Sequence, residues 1–220
     1  LKKYKIIYVY DALCSWCYGF DNIITKLYEE NKDKFDFEII SGGMFTGPAI
    51  SPIQDISTGK DFRSMYKRIT DMSGANFTEK YLTGLFEEQN YLVNSELPAY
   101  AFSVFKSYPV SKDREFEFVN LIQSLIFTEG MNPNNDEIYI EIAKHFNINE
   151  KEFLAKMAQD DFKYEARQDF DTAKILQVSS FPQVLIEVAE NNFYLVAKGF
   201  TELDIIEQRL KNIIAEVEQK

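Results

Sequence analysis

A chain of 220 residues with 45% hydrophobic content can bury a substantial core, which excludes a disordered or fibrous protein. Its formal net charge of -11, from 24 Lys plus Arg against 35 Asp plus Glu, repels phosphate backbones and anionic lipid surfaces, so neither nucleic acid nor a membrane is an expected partner. Two cysteines are too few for a disulfide scaffold, and a large packed core accounts for the 19 Phe and 13 Tyr.

The basic start "LKKYK" is short, and the apolar run behind it is interrupted by Asp11, so a soluble chain without signal peptide or membrane span is expected. The cytoplasm is the expected compartment of the chain as it stands. Because it begins at Leu1 rather than Met, export after removal of a leader stays open as the alternative.

The run "KIIYVY", Lys5 to Tyr10, is continuous, β-branched and aromatic, which predicts a central strand buried on both faces. Phe20, Ile23, Ile24, Leu27 and Tyr28 then recur at helical spacing and predict an amphipathic helix to about Asn31. "FDFEIIS", Phe35 to Ser41, alternates apolar and polar residues and predicts a second strand, ending in a turn at Gly42 and Gly43. A βαβ unit with a right-handed crossover follows.

From about Pro48 to Val178 the patterns are helical almost throughout: 62 to 73, 78 to 89, 97 to 107, 114 to 129, 136 to 146, 150 to 159 and 161 to 177. Asp113, Asp136 and Asn149 are candidate N-caps. A hairpin around "ENN" is predicted from about Gln183 to Lys198. A last helix should follow, with Thr201 and Asp204 as a capping box and Ile206, Leu210, Ile213, Ile214 and Val217 on its apolar face. The expected fold class is α/β, with residues 1–47 and 178–220 as one domain and an inserted α-helical domain at 48–177.

Both cysteines lie in "YVYDALCSWCYGF", Tyr8 to Phe20. Two cysteines placed at random fall at this spacing about once in a hundred times, so the pair reads as a motif. At a strand-to-helix junction, unpaired backbone N–H groups and the helix dipole stabilise a thiolate, which makes Cys14 the candidate nucleophile. Cys17, one turn later on the same face, is placed to resolve a mixed disulfide, while Ser15 and Trp16 between them tune the equilibrium.

A structural zinc site needs about four ligands, and the chain has no third cysteine and only His145, so no metal is expected. His145, late in a helix, reads as a charge complement to the helix C-terminus. Asp11 has two readings, a turn cap ahead of the helix or a proton relay for Cys17. In "VSSFPQVLI", Val178 to Ile186, Pro182 has no N–H to donate and belongs at the first residue of a strand, an edge or a turn.

Across essentially the whole chain this arrangement resembles the DsbA-like branch of the thioredoxin superfamily, in which a helical domain is inserted between βαβ and ββα halves. "YVYDALCSWCYGF" looks like the active-site segment of its predicted disulfide oxidoreductase and isomerase members, and "VSSFPQVLI" looks like their cis-proline segment. The resemblance implies a thioredoxin fold, a cis bond at Pro182, and a client contact shaped by Phe181 and Pro182 together with Ser15 and Trp16. It implies no cofactor. The implied partners are protein or small-molecule thiols and disulfides, glutathione among them. Two features depart from well-studied relatives: Phe181 replaces the usual Thr or Val before the proline, and Ser15-Trp16 replaces the Pro-His of strongly oxidising periplasmic enzymes.

A sister branch, the glutathione-dependent isomerases and kappa-type transferases, gives an alternative enzymatic reading. Those use a single Ser or Cys, and Cys17 argues against it. A third reading is a non-enzymatic adaptor or chaperone whose dithiol is a redox switch.

Overall fold

The computed structural model describes residues 4–57, 61–88, 91–111 and 113–219. Leu1 to Lys3 of the basic start, Gln89 at the end of the expected 78 to 89 helix, Lys112 and Lys220 lie outside the described residues. In chain order the elements are β1 (Lys5–Tyr10), α1 (Ser15–Asn31), β2 (Asp36–Ser41), β3 (Ser51–Pro52), α2 (Ile53–Ser57), α3 (Phe62–Ser73) and a π-helical turn (Lys80–Leu85). Next come β4 (Leu92–Val93), α4 (Glu96–Lys106), α5 (Glu115–Phe127), α6 (Asp136–His145), α7 (Glu150–Met157) and α8 (Asp160–Ile175). The chain closes with β5 (Gln183–Ala189), β6 (Asn192–Lys198) and α9 (Leu203–Glu218).

The main sheet has the order β2-β1-β5-β6. β1 pairs in parallel with β2 and antiparallel with β5, so it is an inner strand, and Ile6 to Tyr10 are all buried. Alternate residues of β1 face opposite ways. Ile6, Tyr8 and Tyr10 share a core with Ile24 and Leu27 of α1 and with Ile206 and Leu210 of α9. Ile7 and Val9 meet Ile40, Leu185, Ala173 and Val178 on the other side. Ala173 belongs to α8, so the last helix of the expected insertion forms the second layer on the sheet. Its Asp169 accepts the Ser41 backbone N–H at 3.2 Å and pairs with Lys106 at 3.5 Å.

The core of the first face continues unbroken into the helices between the two halves, through Phe102, Phe105, Phe118, Ile122 and Phe146. At the junction the Tyr10 and Phe102 rings meet edge to face, with centroids 6.1 Å apart. Such pairs add about 0.5–1.5 kcal/mol beyond the area they bury.

Several local expectations are corrected. The 78 to 89 helix reduces to the π-helical turn at Lys80–Leu85. The short β3–β4 ladder lies between the expected helices, in segments given no strand by the sequence. Asp113 sits in the left-handed region at φ 63 and accepts from the Tyr28 hydroxyl at 3.4 Å, leaving Arg114 as the N-cap of α5. Asn135, not Asp136, precedes α6, and no side chain caps it. The Thr201–Asp204 capping box does not form: Glu202 is the N-cap, the Thr201 hydroxyl donates to the Gly199 carbonyl at 3.3 Å, and Asp204 accepts from Ile205 at 2.8 Å. At Asp113 and Thr201 another polar partner holds the side chain away from the cap position. Asn149 does cap α7, accepting the Glu152 N–H at 3.0 Å.

Candidate active site

β1 delivers the chain to a tight turn at Asp11. One carboxylate oxygen accepts the Leu13 N–H at 2.9 Å and the Ser95 hydroxyl at 3.0 Å; the other accepts the Met44 N–H at 2.7 Å. The Cys14 N–H donates to the Asp11 carbonyl at 3.0 Å. Asp11 therefore clips the dithiol segment, the end of β2 and the start of α4 together, which is the turn reading of its role. Burial pushes its carboxyl above the ordinary range, partly offset by these donors.

Cys14 is the N-cap of α1, with extended backbone at φ -83 and ψ 108, and its sulfur accepts the Cys17 N–H at 3.3 Å. An N-cap sulfur receives one of the orphan N–H groups of the first turn and the positive end of the helix dipole. Both cysteines are free thiols: Cys14 is 6% exposed and Cys17 is fully buried. Burial, followed by the hydrogen bond and charge of Cys14, pushes the Cys17 thiol well above its ordinary pKa.

The third part comes from the far end of the chain. The Phe181–Pro182 peptide is cis, and the Phe181 carbonyl lies 3.6 Å from the Cys14 sulfur. Pro182 stands directly ahead of β5, where its missing N–H costs no ladder bond, and its carbonyl accepts the Gly199 N–H at 2.8 Å. The Phe181 ring lies over Gly42 so closely that a Cβ there would overlap it. Ser15 is buried in the first turn of α1, and half-buried Trp16 carries the Arg68 guanidinium 5.7 Å above its ring. The structure thus brings Cys14, Ser15, Trp16 and Phe181 to one cavity of about 500 Å³, with Cys17 behind Cys14.

Gln123 of α5 was not singled out by the sequence. Fully buried, its amide nitrogen faces the carbonyls of Asp11, Ala12 and Cys14 at 3.3, 3.4 and 3.3 Å. It ties the dithiol loop to a helix more than a hundred residues away. The only signal was a polar residue within the apolar run "NLIQSLIF". Tyr8 and Asp21 were also overlooked as polar groups: the Tyr8 hydroxyl and one Asp21 oxygen are buried without a partner, and burial pushes the Asp21 carboxyl well up. His145 is outside the cavity, against Glu117 at 2.7 Å. Among the described residues, no cluster of three or more His, Cys, Asp or Glu is arranged to hold a metal ion, and no helix is long and apolar enough to cross a membrane.

The family model of the DSBA-like thioredoxin domain matches residues 5–211. No curated protein matches the chain. Among solved structures, a candidate protein disulfide isomerase from Nitrosomonas europaea is similar at 21% identity and TM-score 0.81, covering 98% of this chain and 99% of that one. The cytosolic disulfide reductase DsbM from Pseudomonas aeruginosa is similar at 18% identity and TM-score 0.76, covering 98% and 100%. The same protein with glutathione is similar at 20% identity and TM-score 0.74, covering 96% and 99%. Likeness at these identities carries the fold.

Proposed function

The chain belongs to the DSBA-like thioredoxin domain family, whose members are generally thiol–disulfide oxidoreductases, and from that premise we propose that it exchanges disulfides through Cys14 and Cys17. The observation that carries this reading is the Cys14 sulfur at the helix N-terminus, held 3.3 Å from the Cys17 N–H and 3.6 Å from the Phe181 carbonyl.

The Cys14 thiolate attacks one sulfur of a substrate disulfide, forming a Cys14–substrate disulfide and releasing the other half as a thiolate that takes a proton from water. Cys17, once deprotonated, attacks the Cys14 sulfur; the Cys14–Cys17 disulfide forms and the second half leaves. Two electrons pass from the dithiol to the substrate, and the reverse sequence oxidises two thiols. Phe181 lines the cavity at Cys14 together with Ser15 and Trp16, and Pro182, buried behind it, is proposed to hold the Phe181 backbone in place for the client. Protein or small-molecule thiols and disulfides are the proposed substrates, and the glutathione bound by the P. aeruginosa relative makes it one to test. That relative's cytosolic location supports the cytoplasm as the proposed compartment. We keep the division into a thioredoxin-like domain at 1–47 and 178–220 and a helical insertion at 48–177 as part of the same proposal.

The test is the redox equilibrium of Cys14 and Cys17 across a glutathione buffer series, read by alkylation and mass. A cooperative two-electron transition is expected, with a midpoint near about -270 mV for a reductant or about -120 mV for an oxidant. No intramolecular disulfide at any poise would sink the mechanism.

A further inference from the structure

The cavity beside Cys14 holds about 500 Å³, the size of a small-molecule site. Its character is set by the helices between the two halves of the sheet domain. Ile53 and Ile56 of α2, Phe62 of α3, Phe86 after the π-helical turn and Val93 of β4 supply apolar lining to the cavity that Trp16 also borders. Among the described residues, no Lys, Arg, His, Asp or Glu lines it.

Its polar lining is neutral: Ser15, Ser179 and Ser180 near the dithiol segments, and Tyr66, Tyr81 and Tyr91 among the helices. The Tyr66 and Tyr81 hydroxyls bond each other at 3.0 Å. That bond uses one of two O–H protons, so one remains for a neutral oxygen on a ligand. Burial pushes the Tyr66 phenol up to about 12, so the pair stays uncharged at neutral pH. Tyr81 belongs to the π-helical turn, a geometry concentrated at functional sites.

We infer that this cavity selects disulfides and thiols whose reacting sulfur carries an uncharged aryl or branched alkyl group, which fills the apolar space bordered by Trp16, Ile53, Ile56 and Phe86. This rests on the thiol–disulfide reading above and names its substrate class. A carboxylate entering such a cavity loses its hydration with no cation among the described lining residues to meet it, the Arg68 guanidinium being held over the Trp16 ring, and that cost is far larger than the gain from burying its carbon atoms. The two halves of glutathione disulfide bear carboxylates at both ends and are disfavoured here. In the step itself, the apolar half stays on Cys14 as the mixed disulfide while the other half leaves as thiolate. Cys17 then expels the first half, so atoms and the two electrons balance as in the general exchange.

The experiment mixes reduced protein with 4,4′-dithiodipyridine, neutral and aromatic, or with 5,5′-dithiobis(2-nitrobenzoate), its anionic counterpart, in single-turnover reactions. Rates are divided by those of mercaptoethanol with the same reagents, which removes intrinsic reactivity. High salt, about 0.5 M, shortens the Debye length below about 5 Å and removes long-range repulsion by the net charge. The normalised neutral-to-anionic ratio is expected to exceed about tenfold, the effect of one carboxylate denied a partner. It should fall several-fold in Ile56→Trp, which fills the cavity. Should that variant not fold, naphthalen-2-ol, a neutral aryl alcohol without sulfur, is expected to protect wild-type Cys14 from iodoacetamide saturably.

A ratio near one at high salt, with the Cys14–Cys17 disulfide still forming, overturns the cavity inference and leaves the oxidoreductase reading standing. An unchanged ratio in folded Ile56→Trp, or no protection by the naphthol, overturns it equally. If neither reagent drives formation of the Cys14–Cys17 disulfide, the oxidoreductase reading falls and takes this inference with it.

Discussion

The backbone N–H of Cys17 donates to the sulfur of Cys14 at 3.3 Å, while the thiol of Cys17 is sealed from solvent. One residue thus gives its backbone N–H to the Cys14 sulfur, while burial favours the protonated form of its own thiol. Limited treatment of the reduced protein with iodoacetamide near neutral pH should label Cys14 almost exclusively, as peptide masses would report. Cys17→Ser should accumulate a mixed disulfide on Cys14, and Cys14→Ser should lose exchange to the level of an ordinary buried thiol. The pH sign follows from the raised Cys17 pKa. Its contribution to stability is intact below the unfolded thiol value of about 8.5 and is lost as pH rises beyond it, so reduced wild type should weaken in alkali more than Cys17→Ala. Equal labelling of both cysteines would contradict this asymmetry.

Gln123 offers a separate test of how the dithiol loop is held. Its amide nitrogen faces three carbonyls, of Asp11, Ala12 and Cys14, with two protons to share. Gln123→Leu keeps nearly the same volume but removes this donor: the Asp11 and Cys14 carbonyls keep the backbone N–H groups of Cys14 and Tyr18, while the Ala12 carbonyl loses its bond to the amide, which costs about 1–3 kcal/mol. The urea midpoint should drop accordingly, and amide exchange at Leu13 and Cys14 should accelerate above the global rate. A midpoint within error of wild type would show that the long contacts carry little.

How much of this was legible depended on range. The inner strand and both cysteines could be read because hydrophobic periodicity and spacing are local signals: "KIIYVY" is buried from Ile6 onward, and Cys14 lies where the strand meets the helix. The caps failed at Asp113 and Thr201 because each side chain found a partner outside the expected helix start, Tyr28 in one case and Gly199 in the other. Gln123 was invisible because its function is defined by carbonyls 109 to 112 positions away. α8 read as one more inserted helix, since amphipathic spacing says which face is buried and not whether a sheet or a helix covers it.

Asp21 lies one turn beyond Cys17 in α1, buried, with one oxygen lacking any partner. Burial raises its pKa in the folded protein, so the folded state prefers the protonated acid. Stability from that group is full below the unfolded carboxyl value of about 3.9 and is lost as pH climbs toward the folded value. Asp21→Asn, which is neutral at every pH, should therefore be more stable than wild type at pH 7, with the difference shrinking toward pH 4. Urea midpoints at the two pH values decide it; a variant less stable at both would mean that the carboxylate has a role its geometry does not reveal.

Gly42 and Phe181 are coupled by space alone. No positive φ demands glycine at position 42; the demand comes from the Phe181 ring, which occupies the volume a Cβ would fill. Gly42→Ala must push the ring aside, and the ring is attached to the carbonyl that stands 3.6 Å from the Cys14 sulfur. Overpacking of this kind costs about 1–3 kcal/mol. Against it, removing a glycine restricts the unfolded chain and returns about 0.4–1 kcal/mol, so the net loss should be modest. The discriminating measurement is a double-mutant cycle on urea midpoints with Phe181→Ala. If the ring is the obstacle, alanine at position 42 should be harmless or stabilising once Phe181 is truncated, and the cycle should show a coupling of about 1–3 kcal/mol, the size of the relieved overlap. Strict additivity would mean that the backbone at Gly42, not the ring, resists the extra carbon. The exchange rate of Cys14 should follow the same cycle, falling in Gly42→Ala because its neighbouring carbonyl has moved.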